Sequence, residues 1–159
     1  MDNSLKNYLE KAKVNYKLEK HPAFFTVEES KKYRSFTKLK GMHCKTLFLK
    51  DDNGRFYLVG MEADARLDIK KLQIHLGVKK LKFASSDELL RETTLKPGSV
   101  SIFGAIYSKN LKLIIGRRVW AASSVGFHPN INTETLELSH KDLENYYNSL
   151  ENDKEIVSL

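Results

Sequence analysis

One cysteine in 159 residues leaves no partner for an internal disulfide and suits a reducing compartment. With only three prolines and eight glycines, and with no repeat or biased tract, nothing in the chain marks a linker. A single domain over residues 1–150 is expected, with a polar tail over 151–159 too short to pack. No apolar run reaches the length of a membrane span, and Met1-Asp2-Asn3-Ser4-Leu5-Lys6 lacks the apolar core of a signal peptide. A cytoplasmic protein is the expectation. Familiar chemistry is missing as well: there is no phosphate-binding glycine loop, no zinc-type Cys/His spacing and no Gly-x-Ser-x-Gly elbow. His43-Cys44 lacks the further ligands of a metal centre, and Ser99 and Ser101 have no neighbouring base in sequence that would make either a nucleophile. His75 and His140 fit structural or solvated roles, and His21 falls in a loop.

What is present is positive charge. The chain has 27 Lys and Arg against 20 Asp and Glu, a formal net charge of +7, which suits a polyanionic partner and equally a solubility role. Lys6, Lys11, Lys13, Lys38, Lys40, Lys50, Lys70, Lys71, Arg117 and Arg118 could supply a phosphate-binding surface, though they cannot all face one way.

The apolar pattern predicts a mixed chain. Leu5, Tyr8, Leu9 and Ala12 recur at helical spacing behind an Asn3 or Ser4 cap, and residues 15–20 alternate as a short strand. Thr26 and Glu29 form a capping-box pattern that opens a helix to about Arg34. Residues 43–50 and 55–60 flank Asn53-Gly54, a pair that tolerates the positive φ of a hairpin turn. Asp68 and Gly77 bracket a helix; residues 78–84 read as a strand, and Ser85 starts a helix to about Arg91. Strands are expected at 99–104, 111–115, 119–122 and 133–138, and Ser139-His140-Lys141-Asp142 caps a last helix to about Leu150.

Within the hairpin, Lys45 interrupts an otherwise apolar run. Such a lysine either snorkels to the sheet rim or projects into a cavity where an anion meets it. Its neighbours in the chain favour the second reading. His21-Pro22-Ala23, Lys45-Thr46-Leu47-Phe48-Leu49-Lys50-Asp51, Arg66 to Leu72, Lys82-Phe83-Ala84-Ser85, Lys96-Pro97-Gly98-Ser99-Val100-Ser101 with Phe103-Gly104, and Phe127-His128-Pro129-Asn130 with Asn132-Thr133 occur in that order. Together they resemble the YbaK/ProX family, the free-standing relatives of the editing domain in bacterial prolyl-tRNA synthetase. The Phe-His-Pro-Asn segment is most similar to the alanine-specific ProXp-ala/PrdX branch.

The resemblance implies an α+β fold, a mixed and partly barrel-like β-sheet surrounded by helices. It implies an aminoacyl-tRNA deacylase that hydrolyses mischarged tRNA(Pro), most of all Ala-tRNA(Pro), in trans. Cys-tRNA(Pro), another aminoacyl-tRNA, an unrelated small ester, and a non-catalytic tRNA- or synthetase-binding module are the alternatives. The implied partners are the acceptor end of tRNA(Pro) and, further, prolyl-tRNA synthetase, with no DNA, membrane, metal or cofactor. By the same resemblance Lys45, Gly98 and His128 are the catalytic residues: Lys45 meets the terminal adenosine and its phosphate, carbonyl oxygens near Gly98 hold the α-amino group, and His128 limits pocket size. Thr46, Ser99, Ser101, Ile102, Phe103, Gly104, Phe127, Pro129 and Asn130 would bind substrate. Two departures stand out: Ile102 occupies the place of the family's loop proline, and Thr46 that of an asparagine common in the alanine-specific branch.

An activated ester needs no strong protein nucleophile, so positioning a water and stabilising the oxyanion can suffice. The base is then a group of the substrate, a ribose hydroxyl of the terminal adenosine. An editing sieve exists because one methylene separates substrates by only about 1–3 kcal/mol.

Overall fold

The Asn53-Gly54 hairpin is the spine of the structure, a computed structural model that describes the chain apart from Phe25, Thr26 and Phe36. Its strands, β2 (Met42–Asp51) and β3 (Phe56–Glu62), pair antiparallel from Cys44 opposite Glu62 to Lys50 opposite Phe56. Gly54 takes a φ of +79° at the turn. The buried Asp51 carboxylate fixes the loop by accepting the Asn53 and Arg55 amides at 2.8 and 2.9 Å and the Tyr57 hydroxyl at 2.7 Å.

Among the described residues, eight strands form one mixed sheet. The others are β1 (Lys17–Lys20), β4 (Leu81–Phe83), β5 (Lys112–Gly116), β6 (Ser124–Phe127), β7 (Glu134–Ser139) and β8 (Lys154–Val157). Their order is β1-β7-β6-β2-β3-β5-β8, with β4 paired to the far end of β2. The long strand β2 therefore belongs to two ladders. Met42 and His43 pair parallel with Val125 and Gly126 of β6, while the residues from Cys44 onward pair with β3.

Helices cover the sheet as the apolar patterns require. On one side α1 (Asn3–Lys11), α4 (Ser86–Thr93) and α6 (His140–Ser149) bury Leu5, Leu9, Leu89, Leu143 and Tyr146 against Leu58, Leu113 and Phe127. On the other, α3 (Ile69–Leu76) seats Leu72 on Leu49, Val59 and Ile114. Asp68 caps α3 and Gly77 ends it at φ +68°, as its sequence predicts. The Ser85/Glu88 pair forms a reciprocal capping box on α4, and Ser139 caps α6. The helix expected near Thr26 is α2 (Val27–Arg34); the Thr26 cap itself lies outside the described residues.

Four local expectations are corrected. The cap of α1 is Asp2, whose carboxylate accepts the Leu5 amide at 2.8 Å, rather than Asn3 or Ser4. Residues 99–104 form no strand: Ser101 caps a 3₁₀ helix (Ile102–Tyr107) that buries Ile102, Phe103, Gly104 and Ala105 together instead of on alternate faces. Residues 119–122 fall at the end of a helical turn, α5 (Arg117–Ala121), where Trp120 packs edge-on to His140 and Tyr147; β6 follows it. The tail does pack: β8 pairs parallel with β5 and buries Val157, and Asn152 donates to the Ser108 and Leu111 carbonyls at 2.8 and 2.9 Å. A short polar segment is held there by ladder bonds, which hydropathy does not register.

Candidate active site

The point where β2 passes from β6 to β3 brings Lys45 and Thr46 to the mouth of a cleft of about 420 Å³. Lys45 donates its ammonium to the Ala65 carbonyl in the loop after β3, so the side chain leaves the sheet for the cleft rim. Thr46 stands opposite Gly60, and its hydroxyl is buried on the cleft wall without a hydrogen-bond partner. The facing wall is the Pro97-Gly98 turn, closed by a Ser99 amide to Lys96 carbonyl bond of 3.0 Å. Gly98 has a φ of +86°, a conformation disfavoured for any residue with a Cβ.

His128 follows β6 and closes the inner end. Its Nδ1 lies 2.8 Å from the Glu134 carbonyl, which can only accept, so the ring proton belongs on Nδ1 and a neutral ring presents Nε2 as an acceptor. Burial holds its pKa below the usual histidine value. His21, placed by sequence in an undecided loop role, is buried beside it at 5.6 Å between ring centroids. By the same logic His21 Nδ1 donates to the Pro22 carbonyl, and Nε2 accepts from the Thr135 hydroxyl, both at 2.9 Å. Phe24 stacks on the His21 ring at 4.8 Å.

Two further spaces adjoin the cleft. Inward, a pocket of only about 40 Å³ shares His128, Cys44, Ala63 and Arg34 with it. Outward, a space of about 240 Å³ shares Thr46, Gly98 and Val100 and continues to Phe83, Ser85 and Leu89. Cys44 is no thiolate nucleophile here, because burial pushes its pKa up and its thiol donates to the Met42 carbonyl at 3.3 Å.

Of the residues singled out by sequence, Lys45, Thr46, Gly98 and His128 converge on this cleft. The others do not line it. Ser101 spends its hydroxyl on the Phe103 amide at 3.3 Å, and Ser99 is half-buried in the turn beside Gly98. Ile102, Phe103 and Gly104 are core residues beneath the cleft; Ile102 and Phe127 both pack against Gly60. Pro129 is buried, and Asn130 turns the chain at φ +62°. The departure at Ile102 thus changes the support under the cleft and not its wall, and the loop is fixed by the Ser101 cap and by the Tyr146 hydroxyl, which donates to the Ile102 carbonyl at 2.8 Å.

Sequence reasoning missed Arg34, Phe24 and Ala63 on the cleft wall. Arg34 ends α2, and its Nη1 reaches both carboxylate oxygens of Asp64 at 2.8 Å. No spacing rule connects these residues, which meet only through packing.

Comparison with known proteins shows the family and the fold. The model of the aminoacyl-tRNA editing domain matches residues 21–146. The chain is similar to the prolyl-tRNA editing protein ProX of Acetoanaerobium sticklandii, 37% identical over 139 residues that cover 86% of this chain and 84% of that one. It is 26% identical to the prolyl-tRNA synthetase associated domain-containing protein 1 of Danio rerio, over 98% of this chain and 85% of the other. The fold superposes on the crystal structure of a candidate trans-editing enzyme for prolyl tRNA synthetase with a TM-score of 0.77 at 19% identity, covering 100% and 98% of the two chains. This chain belongs to the aminoacyl-tRNA editing domain family.

Proposed function

We propose that the protein hydrolyses the ester bond of mischarged tRNA(Pro) in trans, with alanine as the preferred amino acid. The observation that carries this reading is the graded cavity: Lys45, Thr46, Gly98 and His128 meet in one cleft whose inner end narrows to about 40 Å³. One water needs about 10–15 Å³ of such space, so the inner pocket takes a small side chain such as the alanine methyl and excludes large ones. Family membership and the ProX relative, named for prolyl-tRNA editing, support the same substrate class.

The amino-acid side chain points inward and the tRNA end leaves by the mouth. Carbonyl oxygens around Gly98 and the Nε2 acceptor of His128 hold the α-ammonium; proline, a secondary amine, offers one hydrogen fewer. Lys45 at the rim supplies a charge-assisted bond to a phosphate or ribose oxygen of the terminal nucleotide. Water attacks the ester carbon and passes a proton by way of a ribose hydroxyl to the departing ribose oxygen, releasing amino acid and tRNA.

Deacylation of purified Ala-, Ser-, Cys- and Pro-tRNA(Pro), measured beside a free alanyl ester, tests this. Alanine is expected to be removed fastest, serine partly and proline not at all. Faster removal of cysteine would reassign the substrate. No rate above buffer on any tRNA would make the protein a binding module, and equal efficiency on the free ester would make it a small-ester hydrolase.

A further inference from the structure

The guanidinium of Arg34 is half used. Its Nη1 is fixed by both oxygens of Asp64, and that hydrogen bond holds the Asp64 carboxyl below its ordinary value. Its Nε is buried without a hydrogen-bond partner. A buried donor left unsatisfied is costly, and in native proteins such a group calls for a specific explanation, one of which is a ligand that completes it. The orphan belongs to a guanidinium whose other edge is paired with Asp64, so it is a donor of the charge-assisted kind.

Its position says which ligand atom completes it. Arg34 lines both the inner pocket and the main cleft, as do Cys44 and His128, so it stands at the boundary of the two. On the substrate orientation proposed above, on which this inference rests, that boundary is where the ester carbonyl lies, between a side chain directed inward and a ribose directed outward. A phosphate is too large for the inner pocket and belongs at the mouth with Lys45.

We infer that Arg34 is a catalytic residue whose guanidinium turns its buried Nε–H toward the cleft as substrate enters, donates to the carbonyl oxygen of the scissile ester and stabilises the oxyanion. As the water oxygen bonds to the carbonyl carbon, the carbonyl π pair moves to oxygen and meets the Arg34 donor. Collapse returns that pair and breaks the bond to the ribose oxygen, which takes the proton the water has lost. Asp64 is the positioning residue: it anchors Nη1, so the guanidinium pivots about a fixed end when Nε–H meets the substrate. Gly98 and His128 grip the amino group, Lys45 the nucleotide, and Arg34 the carbonyl oxygen, which gives the three fixed points that orient an ester for attack on one face of its carbonyl.

The test is steady-state deacylation by Arg34→Met and Arg34→Lys, with melting temperature as the control for folding. An interaction made in the transition state lowers kcat by about a hundredfold and leaves KM unchanged. Arg34→Lys keeps the charge and can still reach Asp64 but lacks the Nε donor, so it is expected to be as slow as Arg34→Met. Added guanidinium is expected to restore part of the Arg34→Met rate, which a merely structural loss would not allow. A raised KM with kcat intact, full activity in Arg34→Lys, or no change in either variant would each overturn the assignment while the deacylase reading stands. A wild-type protein without activity would overturn both.

Discussion

At the scale of single residues the cleft makes separable demands. Lys45→Ala is expected to abolish deacylation without disturbing the circular dichroism spectrum, since the ammonium leaves the sheet for the cleft rim; a folded variant with a near wild-type rate would reduce Lys45 to a structural lysine. Gly98→Ala meets open space, with Asn132 Nδ2 3.7 Å from the added carbon, so its cost is conformational alone. It should lower stability by about 1 kcal/mol in urea titration through the positive φ, and lower activity by shifting the loop carbonyls. Histidine protonation sets a pH limit. Burial is the first cause holding both His43 and His128 below the ordinary value of 6.5, so the unfolded chain binds more protons than the folded one between the two values. Stability is then full above pH 6.5 and falls as pH descends through the depressed folded values. Thermal melts from pH 7.5 down to 5.5 should show the loss, and His128→Phe should reduce its slope. Lys45 was legible in the sequence because it puts a charge in an apolar strand, whereas Thr46, Gly98 and His128 were legible only through the resemblance of their segments to the YbaK/ProX family. Arg34 and Phe24 carry neither signal, and tertiary packing alone brings them to the cleft.

At the scale of elements, the capped helices and the Asn-Gly hairpin were readable because their signals are short-range. The 3₁₀ helix and β8 were not. Ile102 and Phe103 look like strand residues but are buried together beneath β3, and β8 owes its state to the edge of β5. The contact between β3 and the 3₁₀ helix is close enough to be tested by overpacking. A Cβ on Gly60 would lie 2.8 Å from Ile102 Cγ2 and 3.3 Å from both Ile115 and Phe127. Gly60→Ala is therefore expected to cost about 1–3 kcal/mol. The same change on an Ile102→Ala background should cost much less, because the clashing methyl is gone; strict additivity in that double-mutant cycle would show that the two do not press on each other. For β8, Val157→Ala removes two buried methyl groups, and a loss of about 1.5 kcal/mol in chemical denaturation is expected. No loss would mean that the strand is held by its ladder bonds alone.

At the scale of the whole molecule, the net charge of +7 is not freely available. Lys50 is held 2.6 Å from Glu88, which it keeps ionised down to about 2, and Arg118 lies 3.5 Å from Glu62. Lys6, Lys11, Lys13, Lys38, Lys40, Lys70 and Lys71 are exposed and remain candidates for phosphate contact. Efficiency on aminoacyl-tRNA should fall linearly in a plot of log kcat/KM against log salt, and neutralising one contacting lysine should reduce the slope by about one. The free alanyl ester should show no such slope. The double membership of β2 has a kinetic side. Lys45 and Thr46 are set by a hairpin of neighbouring residues, which forms within microseconds, whereas His128 arrives only when β6 pairs in parallel with Met42 and His43 from far along the chain. During refolding from denaturant, catalytic competence should therefore lag behind the return of most secondary structure, with the two halves of the cleft maturing at different speeds.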